Sequence, residues 1–166
     1  MTEKFDKHVK KLLSAERGSA VYLKEGVIGV TDGHRLLVMP EGCFPEDVPP
    51  AGKESTVLAK LLDFDADPGL NYCLAETFTL KAVREGIKSA GGAKAPVRWS
   101  PDGDTTLDAR YMLEAMESLP ARAVYVPNDT KHPAIFYASD DPTSEVKEYI
   151  MPCYNSPRTT GYFRAE

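Results

Sequence analysis

The sequence predicts an α+β fold made of two units, each a helix followed by three strands. The first indication is an amphipathic N-terminal stretch, "KFDKHVKKLLSAE", which precedes two glycine-containing hairpin turns. The second is that the C-terminal part repeats this order, with "TTLDARYMLEAMESL" leading into three short β-rich runs. Two such units would pair their strands into sheets, with both helices packed on one side.

The first helix has an apolar stripe at i, i+4, i+7 and i+8, formed by Phe5, Val9, Leu12 and Leu13. Nearly the opposite face carries three lysines: Lys4, Lys7 and Lys11. A surface helix usually carries charge on its wet face, so the lysine row by itself predicts little more than solvent exposure. Gly18 is the predicted end of the helix.

Three strands follow the first helix in "SAVYLKEGVIGVTDGHRLLVMP". The first turn is predicted at 24–26 and the second at 32–33, and each contains a glycine where a tight hairpin needs a positive φ.

The pattern loosens between about residues 41 and 100. "EGCFPEDVPPAGKES" is rich in turn residues, whereas "STVLAKLLDF" and "TFTLKAVREGIKSA" predict two further helices. We interpret residues 1–166 as a single domain that carries an insertion around 41–100.

The last helix is predicted from apolar residues at four-residue spacing: Leu107, Tyr111, Ala115 and Leu119. Asp108 is a candidate N-cap, and Thr105 is a rival. The strands that follow are predicted in "RAVYVP", "AIFYAS" and "VKEYIMPCY".

Composition limits the class of protein. Hydrophobic residues make up 42% of the chain, and no apolar run approaches the roughly 18 residues that a membrane helix needs. Three distant cysteines without a CxxC pair argue against a zinc site or a disulfide framework, and together with a charged N-terminus they favour a cytoplasmic protein. A net charge of −5 disfavours nucleic-acid binding over the whole surface, but not on one face.

A polar group, Thr31-Asp32-Gly33-His34-Arg35, interrupts two apolar strands. It fits three interpretations: a turn, a catalytic or metal site, and the rim of a binding pocket. A turn explains Asp32 and Gly33 but leaves His34 and Arg35 unexplained. A catalytic or metal site is disfavoured because no further ligand lies at a suitable spacing and no nucleophile motif is present, so we expect neither an enzyme nor a cofactor.

Two motifs give the chain a resemblance to the bacterial DNA polymerase III beta sliding clamp family. "TDGHRL" at 31–36 resembles the signature of that family's middle domain. The closing segment, from "LDARYMLEAMESL" to "KEYIMPCY", looks like the end of its last domain. The resemblance covers roughly residues 3–40 and 105–154.

The resemblance implies a clamp fold with sheets outside and helices facing inward, in a ring of six domains whose basic lining faces DNA. It also implies an apolar pocket in which partner peptides of polymerases or repair proteins dock. Carried over by position, one wall of the pocket would be Thr31, Gly33, His34, Arg35 and Leu36. The other wall would be Ile150, Met151 and Pro152, and the contacts to double-stranded DNA would come from Lys4, Lys7 and Lys11.

Three features depart from the family. A single domain cannot encircle DNA without forming a homo-oligomer or joining another clamp. The outward face of the last helix, with Arg110, Glu114 and Glu117, is net acidic and would repel phosphates. In the family, the two pocket walls belong to adjacent domains, so here they would meet only across a subunit contact or in a rearranged domain.

Two functions therefore remain open. One is a minimal sliding clamp that assembles around DNA and tethers replication or repair proteins. The other is a clamp-fold regulator or adaptor that binds replication proteins without encircling DNA.

Overall fold

A computed structural model describes residues 2–63, 72–74, 79–89, 97–99, 107–119, 123–127, 132–138, 145–152 and 161–163. The helices are α1 (Glu3–Ser14), α2 (Thr56–Ala59), α3 (Leu80–Ser89) and α4 (Ala109–Ser118). The strands are β1 (Ser19–Lys24), β2 (Val27–Thr31), β3 (Arg35–Pro40), β4 (Tyr72–Leu74), β5 (Val97–Trp99), β6 (Leu107–Asp108), β7 (Ala123–Pro127), β8 (Ala134–Tyr137), β9 (Lys147–Ile150) and β10 (Gly161–Phe163). None of the helices in these ranges is long and apolar enough to span a bilayer.

The main sheet has seven strands in the order β1-β2-β3-β9-β8-β7-β4, and all neighbours are antiparallel. The predicted combination of helices with a hairpin-built sheet is therefore confirmed. The N-terminal strands β1–β3 and the C-terminal strands β7–β9 join where β3 pairs with β9, with Arg35 opposite Ile150 and Leu36 opposite Tyr149. This junction makes one continuous sheet from the two halves of the chain.

The larger apolar core lies between one face of this sheet and the helices α1, α3 and α4. Inward side chains of β3, β8 and β9 meet those of the helices, and the buried members include Phe5, Val9, Leu37, Met39, Met112, Phe136 and Ile150. Each fully buried side chain of this size contributes about 1.5–3 kcal/mol relative to exposure. The contact of α1 and α4 with the same core places both helices on the same face of the sheet.

The opposite face of the sheet is also partly covered, which departs from the prediction that the sheet lies outside. Leu36, Val38 and Tyr149 pack there with Leu58 and Leu62 from the segment that contains α2. The reason lies in "RLLVMP", which is apolar at successive positions of β3 and therefore presents apolar side chains to both faces.

The region predicted as an insertion contributes to the main body of the protein. β4 extends the sheet by pairing with β7, and α3 buries Val83 and Ile87 in the core that it shares with α4. Strands β10, β5 and β6 form a second, three-stranded sheet.

Local sequence signals explain where the main elements begin and turn. Thr2 accepts a hydrogen bond from Phe5 N at the start of α1, and Asp108 accepts one from Arg110 N at the start of α4. The rival cap, Thr105, lies outside the described residues. Both hairpin glycines have positive φ, +75° at Gly26 and +97° at Gly33.

Candidate functional site

The polar group after β2 forms a tightly hydrogen-bonded turn. Thr31 Oγ1 donates to the carbonyl of Arg35 at 2.7 Å and accepts from Gly33 N at 3.0 Å. Asp32 Oδ1 accepts from His34 N at 3.0 Å and from Arg35 N at 3.2 Å. The turn interpretation thus accounts for Thr31, Asp32 and Gly33 by their geometry.

Arg35 lies in the interior, where three groups surround its guanidinium. Its Nε donates to Asp32 Oδ2 at 2.9 Å, its Nη1 lies 2.6 Å from Glu114 Oε2, and its Cζ lies 4.2 Å from the centre of the Tyr111 ring. Burial lowers the pKa of Arg35, but the charges of Glu148, Glu114 and Asp32 outweigh it, so the pKa is raised overall. Arg35 therefore stays charged, and it links the turn to α4.

A second buried polar pair links α1 to β9. His8 Nε2 lies 2.8 Å from Glu148 Oε1, and both side chains are at most 2% exposed. The other oxygen of Glu148, Oε2, is also buried and makes no hydrogen bond within the described part of the chain. With Arg35, these residues form a polar layer between the sheet and the helices α1 and α4.

The two motifs assigned to the walls of the peptide pocket lie side by side within one chain. Met151 N donates to the carbonyl of His34 at 3.1 Å, directly beyond the paired residues Arg35 and Ile150. A second subunit is therefore not needed to bring the two segments together. The sequence alone left a subunit contact open as an alternative.

The side chains of these two segments differ in accessibility. Gly33, His34 and Met151 are exposed and Pro152 is half-buried, with Met151 at 38%. The rest are buried: Thr31, Arg35, Leu36 and Ile150. Leu36 belongs to the cluster beneath α2, whereas Ile150 belongs to the core beneath α1 and α4, because successive strand residues point to opposite faces.

His34 is held over α4 by an aromatic contact. Its ring stacks on that of Tyr111 with the centroids 6.0 Å apart and the planes at 25°. Burial, with the charges of Asp108 and Asp32, raises the pKa of Tyr111, so its hydroxyl stays protonated at neutral pH. The accessible surface at the turn is thus an imidazole on a phenol ring, and the exposed Met151 follows β9 in the neighbouring segment.

The three predicted DNA-contacting lysines are all exposed, and they line a cavity of about 230 Å³ between α1 and α4. Two of them have carboxylate partners: Lys7 lies 3.1 Å from Glu3, and Lys11 pairs with Glu114. Glu117, on the same face of α4, pairs with Arg84 at 3.1 Å. The acidic face of α4, expected to stand free and repel phosphates, is instead largely neutralised by cations from α1, α3 and the sheet.

Sequence reasoning missed the polar layer around Arg35. It assigned Glu114 to an outward face and gave no role to His8 or Glu148. One signal was available: in "KEYI", Glu148 occupies the same alternate position as Ile150, so the strand pattern points a carboxylate into the core. A buried carboxylate needs a partner, and Arg35 and His8 supply it. The described residues contain no cluster of three or more potential metal ligands.

No family model and no curated protein matches the sequence. Among solved structures, the chain is similar to the DNA polymerase III beta subunit from Borrelia burgdorferi in complex with a natural product, with a TM-score of 0.52 and 10% sequence identity. The match covers 92% of this chain but only 62% of the other chain. The similarity shows a clamp-like fold, with helices on an antiparallel sheet.

Proposed function

We propose that this protein is a clamp-like, non-enzymatic module that tethers replication or repair proteins by binding a short peptide of the partner. The observation that carries the proposal is the pairing of β3 with β9, which sets the segment 31–36 beside the segment 150–152 within a clamp-like fold. In the clamp family these two motifs border the partner-peptide pocket.

The exposed part of this site has suitable chemistry for a peptide. Met151 offers a deformable apolar contact, and His34 on Tyr111 offers an aromatic surface with a polar edge. Leu36 and Ile150 are buried on opposite faces of the sheet, so an anchor residue would contact either of them only after local movement. First contact therefore falls to Gly33, His34 and Met151.

The test is fluorescence anisotropy with a labelled clamp-binding peptide that carries one aliphatic and one aromatic anchor. The double variant His34→Ala with Met151→Ala should weaken binding at least roughly tenfold, since losing two contacts of this kind costs more than about 1.4 kcal/mol. Val57→Ala is the matched control, because Val57 is an apolar side chain, 73% exposed on α2, that belongs to neither segment of the site. Equal affinity in all three proteins would refute the site.

A second candidate function, a ring around DNA, is favoured by the row of exposed lysines on α1. Sequence-independent phosphate contacts from Lys4, Lys7 and Lys11 would give weak, salt-sensitive binding that allows sliding. Sedimentation velocity with and without double-stranded DNA separates the two candidates. A particle of about six domains that retains closed circular DNA supports the ring, and a stable monomer under both conditions refutes it.

A further inference from the structure

One end of the seven-stranded sheet is β1, a strand of six residues with the sequence "SAVYLK". An edge strand presents backbone N–H and C=O groups on its outer side, where a strand from another molecule can pair with them. "SAVYLK" contains no proline, and at its centre Val21 and Tyr22 are residues that favour strands. Without a covering segment, this edge could pair with a strand of another molecule.

The outer side of β1 is occupied by a segment of the same chain. Gly52 N donates to the carbonyl of Ala20 at 2.8 Å, and Ser55 N donates to the carbonyl of Tyr22 at 2.9 Å. An isolated parallel bridge joins Tyr22 to Glu54. We call residues 52–55 the edge strap.

The edge strap pairs with β1 over a short length only. One isolated bridge and two backbone hydrogen bonds join it to β1, and the loop that leads into it contains two prolines, Pro49 and Pro50. On either side of it, Ala51 and Leu58 pack on the sheet. A cavity of about 450 Å³ lies between that loop and α1, lined by residues that include Leu13, Ala20, Val48, Pro49 and Pro50. Further ties are side-chain contacts at the surface, including Lys10 with Asp47 and Tyr22 with Glu41.

The edge beneath the strap is complementary to itself. Ala20 and Tyr22 direct their carbonyls outward, so a second β1 running antiparallel would pair Ala20 of one copy with Tyr22 of the other. In that register Val21 lies on the twofold axis. Extended past the ends of β1, the same register would set Arg17, in the turn before the strand, opposite Glu25 of the other copy, in the turn after it. Both residues are exposed, so the pairing would join opposite charges at both ends once the strap has left β1.

We propose that the edge strap prevents β1 from pairing with a second copy of this chain. Its release allows two copies to join their sheets through β1. The inference concerns self-association and does not depend on the peptide site, which lies two strands away at β3 and β9. A ring that closed through this edge would first need the strap to leave.

The experiment compares two double variants by sedimentation equilibrium over a wide concentration range. Gly52→Pro with Ser55→Pro removes both backbone donors, and hydrogen exchange over 45–55 reports whether the strap is released. Gly52→Ala with Ser55→Ala also loses the Ser55 hydroxyl that caps α2, but it keeps both backbone donors. We expect the proline variant to dimerise at least roughly tenfold more tightly than the alanine control and the wild type, because only it frees the two acceptors.

A charge exchange tests the register in the released background. Arg17→Glu should weaken the dimer by like-charge contact with Glu25, and Arg17→Glu with Glu25→Arg should restore it. The proposal is overturned if the proline variant releases the strap but sediments with the mass of the wild type. It is also overturned if neither charge change alters the dissociation constant of the dimer. Because Arg17 packs beside Gly33, peptide binding is measured only in proteins that keep Arg17, so the two proposals fail separately.

Discussion

At the scale of single residues, Arg35 shows why a polar group stands between two apolar strands. A guanidinium this deeply buried is stable only with charged partners, and Asp32, Glu114 and Glu148 supply them from a turn, a helix and a strand. Arg35 was assigned to a pocket wall, but its contacts point inward. Arg35 holds the turn in which His34 is exposed. A substitution of Arg35 would therefore affect a bound peptide indirectly, through the conformation of this turn.

The lowered pKa of Glu114 makes the stability of the protein depend on pH. Burial raises its pKa, but the hydrogen bond from Lys11 and the charge of Arg35 outweigh that effect, so the pKa is lowered from its ordinary value of 4.5. A carboxyl with a lowered pKa in the folded state adds stability above its unfolded pKa, and this stability is lost as the pH falls through the folded pKa. We expect Glu114→Gln to reduce the free energy of unfolding by about 1–2 kcal/mol at pH 7, with a smaller difference from wild type below about pH 4.

Urea unfolding at several pH values measures this difference, and Glu117→Gln is the matched control. Glu117 also pairs with an arginine, Arg84 of α3. The side chains of Arg84 and Glu117 are 55% and 39% exposed, so the loss of this pair should cost less than about 1 kcal/mol. A gap between wild type and Glu114→Gln that is the same at pH 3 and pH 7 would contradict the assignment of the lowered pKa.

At the scale of elements, α4 joins the site to the core. Its outer side carries Tyr111 and Glu114 towards the turn, while Met112 and Ala115 are buried against the sheet. The residue at which α4 begins therefore determines the position of the Tyr111 ring beneath His34. A helix that frayed at its start would loosen the aromatic surface of the proposed peptide site.

Asp108 should control that start. We expect Asp108→Ala to lower stability by about 1 kcal/mol, because the amide of Arg110 loses its acceptor. Asp108→Asn keeps an acceptor but loses the ionic contact with Arg110, which lies 3.3 Å from the carboxylate. Thermal unfolding of the three proteins separates the effects, and equal losses for Ala and Asn would mean that the ionic contact, not the cap, is responsible.

The elements were predictable where a pattern is local. The stripe of α1, the cap at Asp108 and the glycine turns at 26 and 33 follow from periodicity and backbone sterics. The covering of the outer sheet face by α2 and the meeting of β3 with β9 depend on contacts between distant parts of the chain, which no local pattern encodes. The same holds for Glu114, whose position on α4 is compatible with both an exposed face and a buried partner.

At the scale of the whole molecule, the two halves share one core. Phe5 and Val9 from α1 pack in the same cluster as Met112 from α4 and Phe136 from β8, and the sheet is continuous through β3 and β9. Because the two units share a core and a sheet, we expect them to unfold together. The repeated order of helix and strands would then be a feature of topology alone.

Met112→Ala tests this cooperativity. The fully buried side chain leaves a cavity, and we expect the free energy of unfolding to fall by about 2–5 kcal/mol. Hydrogen exchange should show the same fall for amides of β2, in the N-terminal half, as for amides of β8, since both are released only by global unfolding. Val57→Ala, at an exposed position, should change neither by more than about 0.5 kcal/mol. If protection were lost in β8 and kept in β2, the halves would unfold separately, and the junction of β3 with β9 would be a contact between two domains.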